Sequence, residues 1–258
     1  MNNKPVKPTL MLILILFYTL NVESQTNAES QTNIPKFELG IGLSGFLYQG
    51  DLAEEKFGSY KTIRVGVNLF ANKFISRSVS LRTNLAIGGL RGDDSEYSSP
   101  EYRRQRNFKF KTGLLELSEW VVWSPLKKNY ADKGFYPYLF AGLGLSFVNI
   151  KRDWSEYNGE YFNNTDLTAR LAEDSAHSLP TLIPFIPVGL GIRYNFNYRW
   201  GAYVESTYRV LFTDYLDGFS KAGNPDKKDQ YLTLSVGVVY RIGKKDPLDC
   251  PTIKYWEF

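Results

Sequence analysis

Eight runs of alternating residues constrain the fold of this chain more than any other feature of its sequence. In each run, one parity carries mostly Leu, Val and Ile, and the other carries mainly Gly, Ser, Thr, Asn and charged residues. A period of two places these two sets on opposite faces of a β-strand. The runs cover about 37–47, 63–71, 79–88, 110–123, 138–147, 186–195, 203–210 and 232–242.

The connections between the runs alternate in length. Short connections lie near 72–78, 125–134 and 195–200, after the second, fourth and sixth runs, whereas the connections after the odd runs are long. In outer-membrane barrels the short turns are periplasmic, the long loops are extracellular, and an even number of strands returns both termini to the periplasm. The sequence therefore predicts an all-β fold: an eight-stranded antiparallel up-and-down transmembrane β-barrel over residues 36–243, with both termini periplasmic.

The two faces of the runs indicate which one points outward. A soluble barrel of the lipocalin kind would enclose its apolar face around a ligand and expose its polar face. Here the polar face carries glycines with Arg and Glu residues, the filling expected of a narrow lumen, and the other face is almost continuously aliphatic. We therefore expect the apolar face to contact lipid, with the soluble barrel as the alternative.

The N-terminus has the three-part layout of a secretory signal. Lys4 and Lys7 precede an apolar run over 10–20, which is too short to span a bilayer as a helix, and a polar stretch follows to Asn33. We expect a signal peptide over 1–24, cleaved after Ser24, and a flexible lead-in over 25–35.

Composition excludes several chemistries. Cys250 is the only cysteine and His177 the only histidine, which excludes an intrachain disulfide framework and a Cys/His-rich metal site. The 31 Lys and Arg residues exceed the 27 Asp and Glu residues by only four, too small an excess to predict nucleic-acid binding. We predict neither a cofactor nor a metal.

Aromatic side chains flank the short connections. Membrane barrels concentrate such side chains in girdles at the two interfaces. The candidate members of a periplasmic girdle are Trp120, Trp123, Phe135, Tyr136, Tyr194, Phe196, Tyr198 and Trp200.

Charged residues on the polar parity form a predicted lumen network. Its members are Glu38, Arg64, Arg82, Glu116, Arg193, Glu205, Arg209 and Arg241. Buried charges must be paired and hydrogen-bonded, and an eight-stranded barrel has room for little besides its own side chains. The network therefore favours a structural plug over an ion path.

Two short motifs resemble catalytic or nucleotide-binding patterns. Gly40–Gly45 has the spacing of a dinucleotide-binding loop, but strand alternation continues through it, so we interpret its glycines as lumen-facing residues that relieve crowding. His177 and Ser178, with Glu173 and Asp174 nearby, lie in a long loop rather than at rigid strand ends, and we interpret them as loop residues. We predict no catalytic residues and no enzyme.

Two further segments are candidate contact sites. Basic residues before and within the fourth run could meet lipopolysaccharide phosphates or an acidic partner, or could simply be solvated: Arg103, Arg104, Arg106, Lys109 and Lys111. The segment 244–258 is a predicted periplasmic tail, where Cys250, Tyr255, Trp256 and Phe258 could contact a partner or pack under the barrel rim.

Several segments resemble the PorG-type outer-membrane β-barrel family of type IX secretion bacteria, and together they span nearly the whole mature chain. They are Phe37–Gly40, Tyr48–Leu52, Gly92–Ser95, Glu116–Ser118, Pro137–Gly142, Tyr208–Arg209 and Thr213–Asp217. The resemblance implies a non-enzymatic barrel that contacts the periplasmic lipoprotein ring of the secretion machine, as an accessory or anchoring component. The alternatives are a free-standing OmpA- or OmpX-like barrel with a structural or adhesive surface role, and a lipid-modifying outer-membrane enzyme.

Overall fold

The computed structural model describes residues 36–53, 58–129, 133–223 and 229–243, which form a closed barrel of eight antiparallel strands. Each strand pairs with the next along the chain, and β8 pairs with β1. The strands are β1 Phe37–Gln49, β2 Arg64–Phe74, β3 Val79–Asp93, β4 Lys109–Trp123, β5 Gly134–Asp153, β6 Leu182–Asn195, β7 Trp200–Leu211 and β8 Gln230–Ile242. The predicted all-β, up-and-down barrel is confirmed.

In the part of the chain that the structure describes, helical structure is confined to the long loops. Helix α1 spans Glu101–Arg106 between β3 and β4, and helix α2 spans Leu167–Ala176 between β5 and β6. Short 3-10 turns lie at Tyr60–Thr62 and Asp94–Glu96. Within the described residues, no helix is both long enough and apolar enough to span a bilayer.

Burial alternates along the strands with the predicted parity. On β1, Leu39, Ile41 and Leu43 are about half exposed, whereas Glu38 and Ser44 are buried. The same outward aliphatic face continues on the other strands, for example at Val204 on β7. A belt of exposed Leu, Ile and Val this large is typical of a lipid-facing surface rather than of a soluble protein, so the soluble-barrel alternative is wrong.

Glycines on the inner parity make room for aromatic rings. A Cβ at Gly40 would lie 2.2 Å from the Phe70 ring, and one at Gly144 would lie 2.4 Å from the Phe185 ring. The Gly40–Gly45 segment runs within β1, and Gly40 and Gly42 lie on its inner parity as predicted. The interpretation of Gly45 as lumen-facing is wrong, because it has the outer parity. A large ring in a narrow lumen needs a neighbour without a side chain.

The predicted aromatic girdle is only partly correct. Trp123, Phe135 and Trp200 are exposed on the outer face near the short turns, and Phe135 packs on Tyr194 at 4.6 Å between ring centroids. Phe196 is exposed and Tyr198 half-buried in the turn that follows β6. The interpretation of Trp120 and Tyr136 as girdle residues is wrong, because both occupy the inner parity of their strands and are buried in the lumen.

Both ends of the barrel sequence meet at one rim. Phe37 on β1 pairs with Ile242 on β8, at the same end as the short turns 75–78 and 196–199 and as residues 124–129 and 133. The described parts of the four long loops lie at the opposite end. The signal peptide 1–24, the lead-in 25–35 and the tail 244–258, which the sequence predicts on either side of the barrel, lie outside the described residues.

Candidate functional site

The lumen near the short-turn end is occupied by Glu38 and two arginines. Arg193 Nη1 donates to both carboxylate oxygens of Glu38 at 2.8 Å, and Arg241 Nε donates to Oε2 at 3.2 Å. All three side chains are buried. One carboxylate thus holds together β1, β6 and β8.

A second ion pair fills the middle of the lumen. Arg82 on β3 pairs with Glu205 on β7, and the Tyr138 hydroxyl donates to Glu205 Oε1 at 2.7 Å. The Arg82 guanidinium also lies over the Phe70 ring, 4.0 Å from its centroid. A desolvated guanidinium gains substantially from such ring contacts in addition to its ion pair.

A third group lies towards the long-loop end. Arg209 Nε donates to Glu116 Oε2 at 2.8 Å, and the Tyr231 hydroxyl donates to the other oxygen of Glu116. Arg209 also donates to the hydroxyl of Thr233. Arg209 and Glu116 are both buried, and each neutralises the charge of the other.

These three groups place seven of the eight predicted lumen charges together as a stack of side chains across the barrel. The inclusion of Arg64 is wrong, because its side chain is exposed. Arg64 has the inner parity but begins β2, where the pairing with β3 has already ended at Val67 and Ile87. No wall of the lumen encloses it there.

The described parts of the long loops, 50–53, 58–63, 94–108, 154–181, 212–223 and 229, form what we call the loop cap. Asp94, fully buried, accepts from Arg106 Nε at 2.7 Å and from Arg106 Nη2 at 3.0 Å. Its Oδ2 also accepts from the amide of Phe108 at 3.2 Å. Arg103 lies 3.8 Å from Asp94 and donates to the Ala53 carbonyl at 2.7 Å. The cap therefore has an internal ion pair of its own.

A second buried aspartate joins two other loops. Asp174 on α2 accepts from the amide of Lys221 at 3.0 Å and from that of Ala222 at 2.7 Å. Apolar packing reinforces this contact, since Phe108 stacks on Phe219 at 4.4 Å between centroids. The loops thus share a core with the upper lumen.

Carboxyl groups converge below the last loop. The Tyr48 phenolic oxygen lies 2.7 Å from Asp217 Oδ2 and 2.5 Å from Asp229 Oδ1. Burial, together with the mutual repulsion of these carboxylates, raises the pKa of Asp217 well above its ordinary value. Burial likewise raises the pKa of Asp229. Burial and the charge of Asp229 raise the pKa of Asp214 to about 7. This carboxyl cluster, Asp214, Asp217 and Asp229, favours the protonated form.

The family model of a domain of unknown function, DUF6089, matches residues 9–250. The chain belongs to the DUF6089 family. No curated protein matches the chain.

Several solved structures are similar to this DUF6089 chain. Ail, the attachment invasion locus protein of Yersinia pestis, solved with the heparin analogue sucrose octasulfate, is 12% identical, with 82% of this chain and 100% of Ail covered and a TM-score of 0.41. Neisserial surface protein A is 14% identical, with 80% of this chain and 97% of that one covered and a TM-score of 0.43. The outer membrane enzyme PagL is 10% identical, with 79% and 98% covered and a TM-score of 0.36.

The basic cluster of this DUF6089 chain divides into two groups. Arg103 and Arg106 are buried against Asp94. The prediction that these two residues could contact lipopolysaccharide phosphates is therefore wrong. Lys109 pairs with Glu156 at 2.6 Å, and Arg104 and Lys111 are exposed. The candidate tail contacts Cys250, Tyr255, Trp256 and Phe258 lie outside the described residues.

The sequence reasoning missed the residues that organise the cap. Asp94 belongs to the segment Gly92–Ser95, for which the sequence indicates a family resemblance and no contact. For Asp214–Asp217 the sequence does predict a loop base held by hydrogen bonds from backbone amides to Asp side chains, and Asp217 Oδ1 accepts the amide of Phe219 at 2.8 Å. Asp174 was considered only with His177, whose ring stacks on Tyr215 at 4.3 Å. Among the described residues, no three His, Cys, Asp or Glu side chains are placed to hold a metal ion.

Proposed function

We propose that this chain is a non-enzymatic outer-membrane β-barrel that serves as a rigid anchor, an accessory component of a type IX protein secretion machine. The observation that carries the anchoring role is the filled lumen. Three buried charge groups and their aromatic neighbours occupy the space that a solute would need. A barrel of eight strands has little interior volume to spare, so such filling serves rigidity rather than transport.

The orientation follows from the loop lengths. Short turns and both ends of the barrel sequence share one rim, and this rim is periplasmic in bacterial barrels. The loop cap then faces the cell exterior, and the tail 244–258 continues into the periplasm. Outer-membrane lipid and lipopolysaccharide surround the aliphatic belt.

The loop cap supports the resemblance to PorG-type barrels. Three resembling segments that are far apart in sequence meet there. They are Tyr48–Leu52, Gly92–Ser95 and Thr213–Asp217. Tyr48 contacts Asp217. Asp94 accepts from Arg106, which in turn donates to the Asp51 carbonyl at 3.4 Å. Short motifs that meet in one buried unit are harder to explain as separate coincidences.

The surroundings of His177 support a non-enzymatic role. Both carboxylate oxygens of Asp174 accept backbone amides, so this group orients a loop rather than an imidazole. A catalytic base needs a carboxylate or carbonyl directed at its ring nitrogen. The His177 ring instead stacks on Tyr215.

The test is an affinity purification of a chromosomally tagged chain from outer membranes in mild detergent, with mass spectrometry of what co-purifies. Three versions are compared: the full chain, a chain that ends at residue 243, and a chain whose residues 244–258 are replaced by a Gly/Ser sequence of equal length. We expect stoichiometric recovery of periplasmic ring lipoproteins with the full chain and their loss from both variants.

Recovery of the barrel alone from all three versions would overturn the secretion role and favour a free-standing OmpA- or OmpX-like barrel. Deletion of the gene separates the remaining alternatives. Arrested cargo secretion supports the proposal, whereas an altered lipid A profile with intact secretion would indicate a lipid-modifying enzyme.

A further inference from the structure

A groove opens in the barrel wall where β2 and β3 separate. Their pairing ends at Val67 and Ile87, although β2 begins at Arg64 and β3 continues to Asp93. The groove has a volume of about 460 Å³ and extends across β3 to β4, where Lys111 and Gly113 line it. It lies at the long-loop end of the barrel.

The groove is open to the lipid side and closed to the lumen. Gly89 and Gly113 face each other in the register on the outer parity, and a Cβ at Gly113 would meet no atom within 4 Å. Behind the groove, the fully buried Phe46 ring would lie 2.4 Å from a Cβ at Gly88. The gap is therefore a notch in the outer surface and not a side door into the lumen.

The walls of the notch are aliphatic. Val65 is 75% exposed and Ile87 is 56% exposed, and Val67 lies between them on the same outer parity. In a bilayer, a notch with such walls is filled by hydrocarbon. The absence of side chains at Gly89 and Gly113 leaves a space into which a lipid chain fits.

Cations border the notch on its long-loop side. Arg91, Lys111 and Lys151 occupy directly opposed positions on β3, β4 and β5 and form an outward basic row. Arg91 pairs with Asp93 at 2.8 Å and Glu96 at 3.1 Å. Within the described residues, Lys111, Lys151 and Arg64 make no ion pair. Like charges directly opposite each other in a sheet are destabilising, so an external anion beside Lys111 and Lys151 would stabilise the row.

The basic row stands at headgroup depth. It follows the apolar row of Ile87, Leu115 and Phe147 by four residues along each strand, which is roughly 13 Å of strand length. Phosphates of the outer leaflet lie just above its hydrocarbon. A phosphate at the row and an acyl chain in the notch are therefore positions that one lipid molecule can occupy together.

We propose that this notch is a binding site for lipopolysaccharide, with one acyl chain along Val65, Val67 and Ile87 and a lipid A phosphate held by Lys111 and Arg64. The proposal rests on the outer-membrane location and orientation proposed above. It assigns a ligand to Arg64 and Lys111, two exposed cations that take part in neither the lumen network nor the ion pairs of the loop cap.

The test measures binding of hexa-acylated lipid A to the purified, folded mature chain in detergent micelles by native mass spectrometry. Phosphate-free lipid A and phosphatidylglycerol are the comparison ligands. Lys111→Ala combined with Arg64→Gln removes the phosphate contacts. Gly113→Leu puts a side chain into the notch at a position where a Cβ meets no atom within 4 Å. Lys128→Ala, an exposed cation in a short turn, and Ala141→Leu, outward on β5, are the matched controls.

We expect the double variant to lose about tenfold or more in affinity for lipid A, the effect of losing one or two charge-assisted hydrogen bonds. Gly113→Leu should lose affinity by a similar factor, and neither control should change it. Heat-modified electrophoretic mobility verifies that each variant is folded.

Equal affinity of all variants would overturn the site, and equal affinity for phosphatidylglycerol would overturn the assignment to lipopolysaccharide. Undiminished binding of phosphate-free lipid A would overturn the role of the two cations. The assay needs no secretion partner, so its failure is distinguishable from the failure of the purification that tests the secretion role.

Discussion

The phenolic oxygen of Tyr48 lies 2.7 Å from a carboxylate oxygen of Asp217. The same phenol lies 2.5 Å from Asp229. A phenol has one proton to donate, so one of these two contacts requires a proton on a carboxyl group. Strand β1 thus meets the last loop through a cluster that an additional proton stabilises.

The first prediction is that the last loop becomes less stable as pH rises. Burial raises the pKa values of Asp217 and Asp229, and it raises that of Asp214 to about 7, whereas an unfolded aspartate titrates near 3.8. Between these values the folded chain holds more protons than the unfolded chain, so stability is full below about pH 4 and decreases as pH rises through about 7. Hydrogen exchange of amides 212–223, corrected for intrinsic rates, should show more protection at acidic pH.

Asp229→Asn provides the control for this pH dependence. The amide mimics the neutral acid and keeps its size, so the variant should show a smaller change in exchange between acidic and alkaline pH. Protection that increases with pH in the unmodified chain would contradict the assignment.

The second prediction concerns Glu38, which alone neutralises Arg193 and joins it to Arg241. Glu38→Ala leaves two buried guanidinium groups facing each other, and we expect a loss of about 3–5 kcal/mol in the free energy of unfolding. Urea unfolding in lipid vesicles measures the change. Glu160→Gln, at an exposed loop position, is the control, and equal stability of Glu38→Ala and this control would refute the structural role.

The third prediction concerns a carboxyl group on the lipid face. Glu119 has the outer parity of β4, opposite Thr83, with which its side chain is hydrogen-bonded. A carboxyl group there is costly in hydrocarbon, so Glu119→Leu should stabilise the barrel by on the order of 1 kcal/mol. Glu119→Gln keeps a hydrogen-bonding group and should gain less. Destabilisation by Glu119→Leu in the same vesicle assay would indicate that a partner rather than lipid covers this position.

The fourth prediction compares two glycines on neighbouring strands. A Cβ at Gly142 would lie 2.1 Å from the Glu119 carbonyl oxygen, a backbone atom that cannot move aside, whereas a Cβ at Gly113 meets nothing within 4 Å. Gly142→Ala should therefore cost about 1–3 kcal/mol. Gly113→Ala should change stability by less than about 0.5 kcal/mol. Unfolding curves that rank the two variants in the opposite order would show that the strand positions are misassigned.

The fifth prediction concerns the cap. Arg106→Ala removes the closer of the two arginines that pair with buried Asp94 and should make the segment 94–108 susceptible to limited proteolysis from the long-loop side. Arg104→Ala removes an exposed charge from the same helix and should leave the cleavage rate unchanged. Identical cleavage of the two variants would mean that the Asp94 ion pair does not hold the cap.

The sequence by itself determined the strands, the face of each strand and the closed barrel. Side chains of successive strand residues point to opposite faces, so parity alone placed Glu38, Arg82 and Glu205 in the lumen. Parity was insufficient at the strand ends. It placed Arg64 inside, where β2 is still paired with β1 but no longer with β3. Interface arguments placed Trp120 outside, although it stacks on Phe140 within the lumen.

Only the tertiary structure decided which charges pair and which loops meet. Glu38 and Arg193 are 155 positions apart, and their contact depends on the register of four strands around the closed barrel. From the sequence, Arg103 and Arg106 are candidates for a lipopolysaccharide or partner contact or for solvated loop residues, whereas in the structure both are buried against Asp94. The physical reason is that periodicity records the environment of each residue from its neighbours in sequence, whereas a long-range pair depends on closure and register, which no local pattern contains.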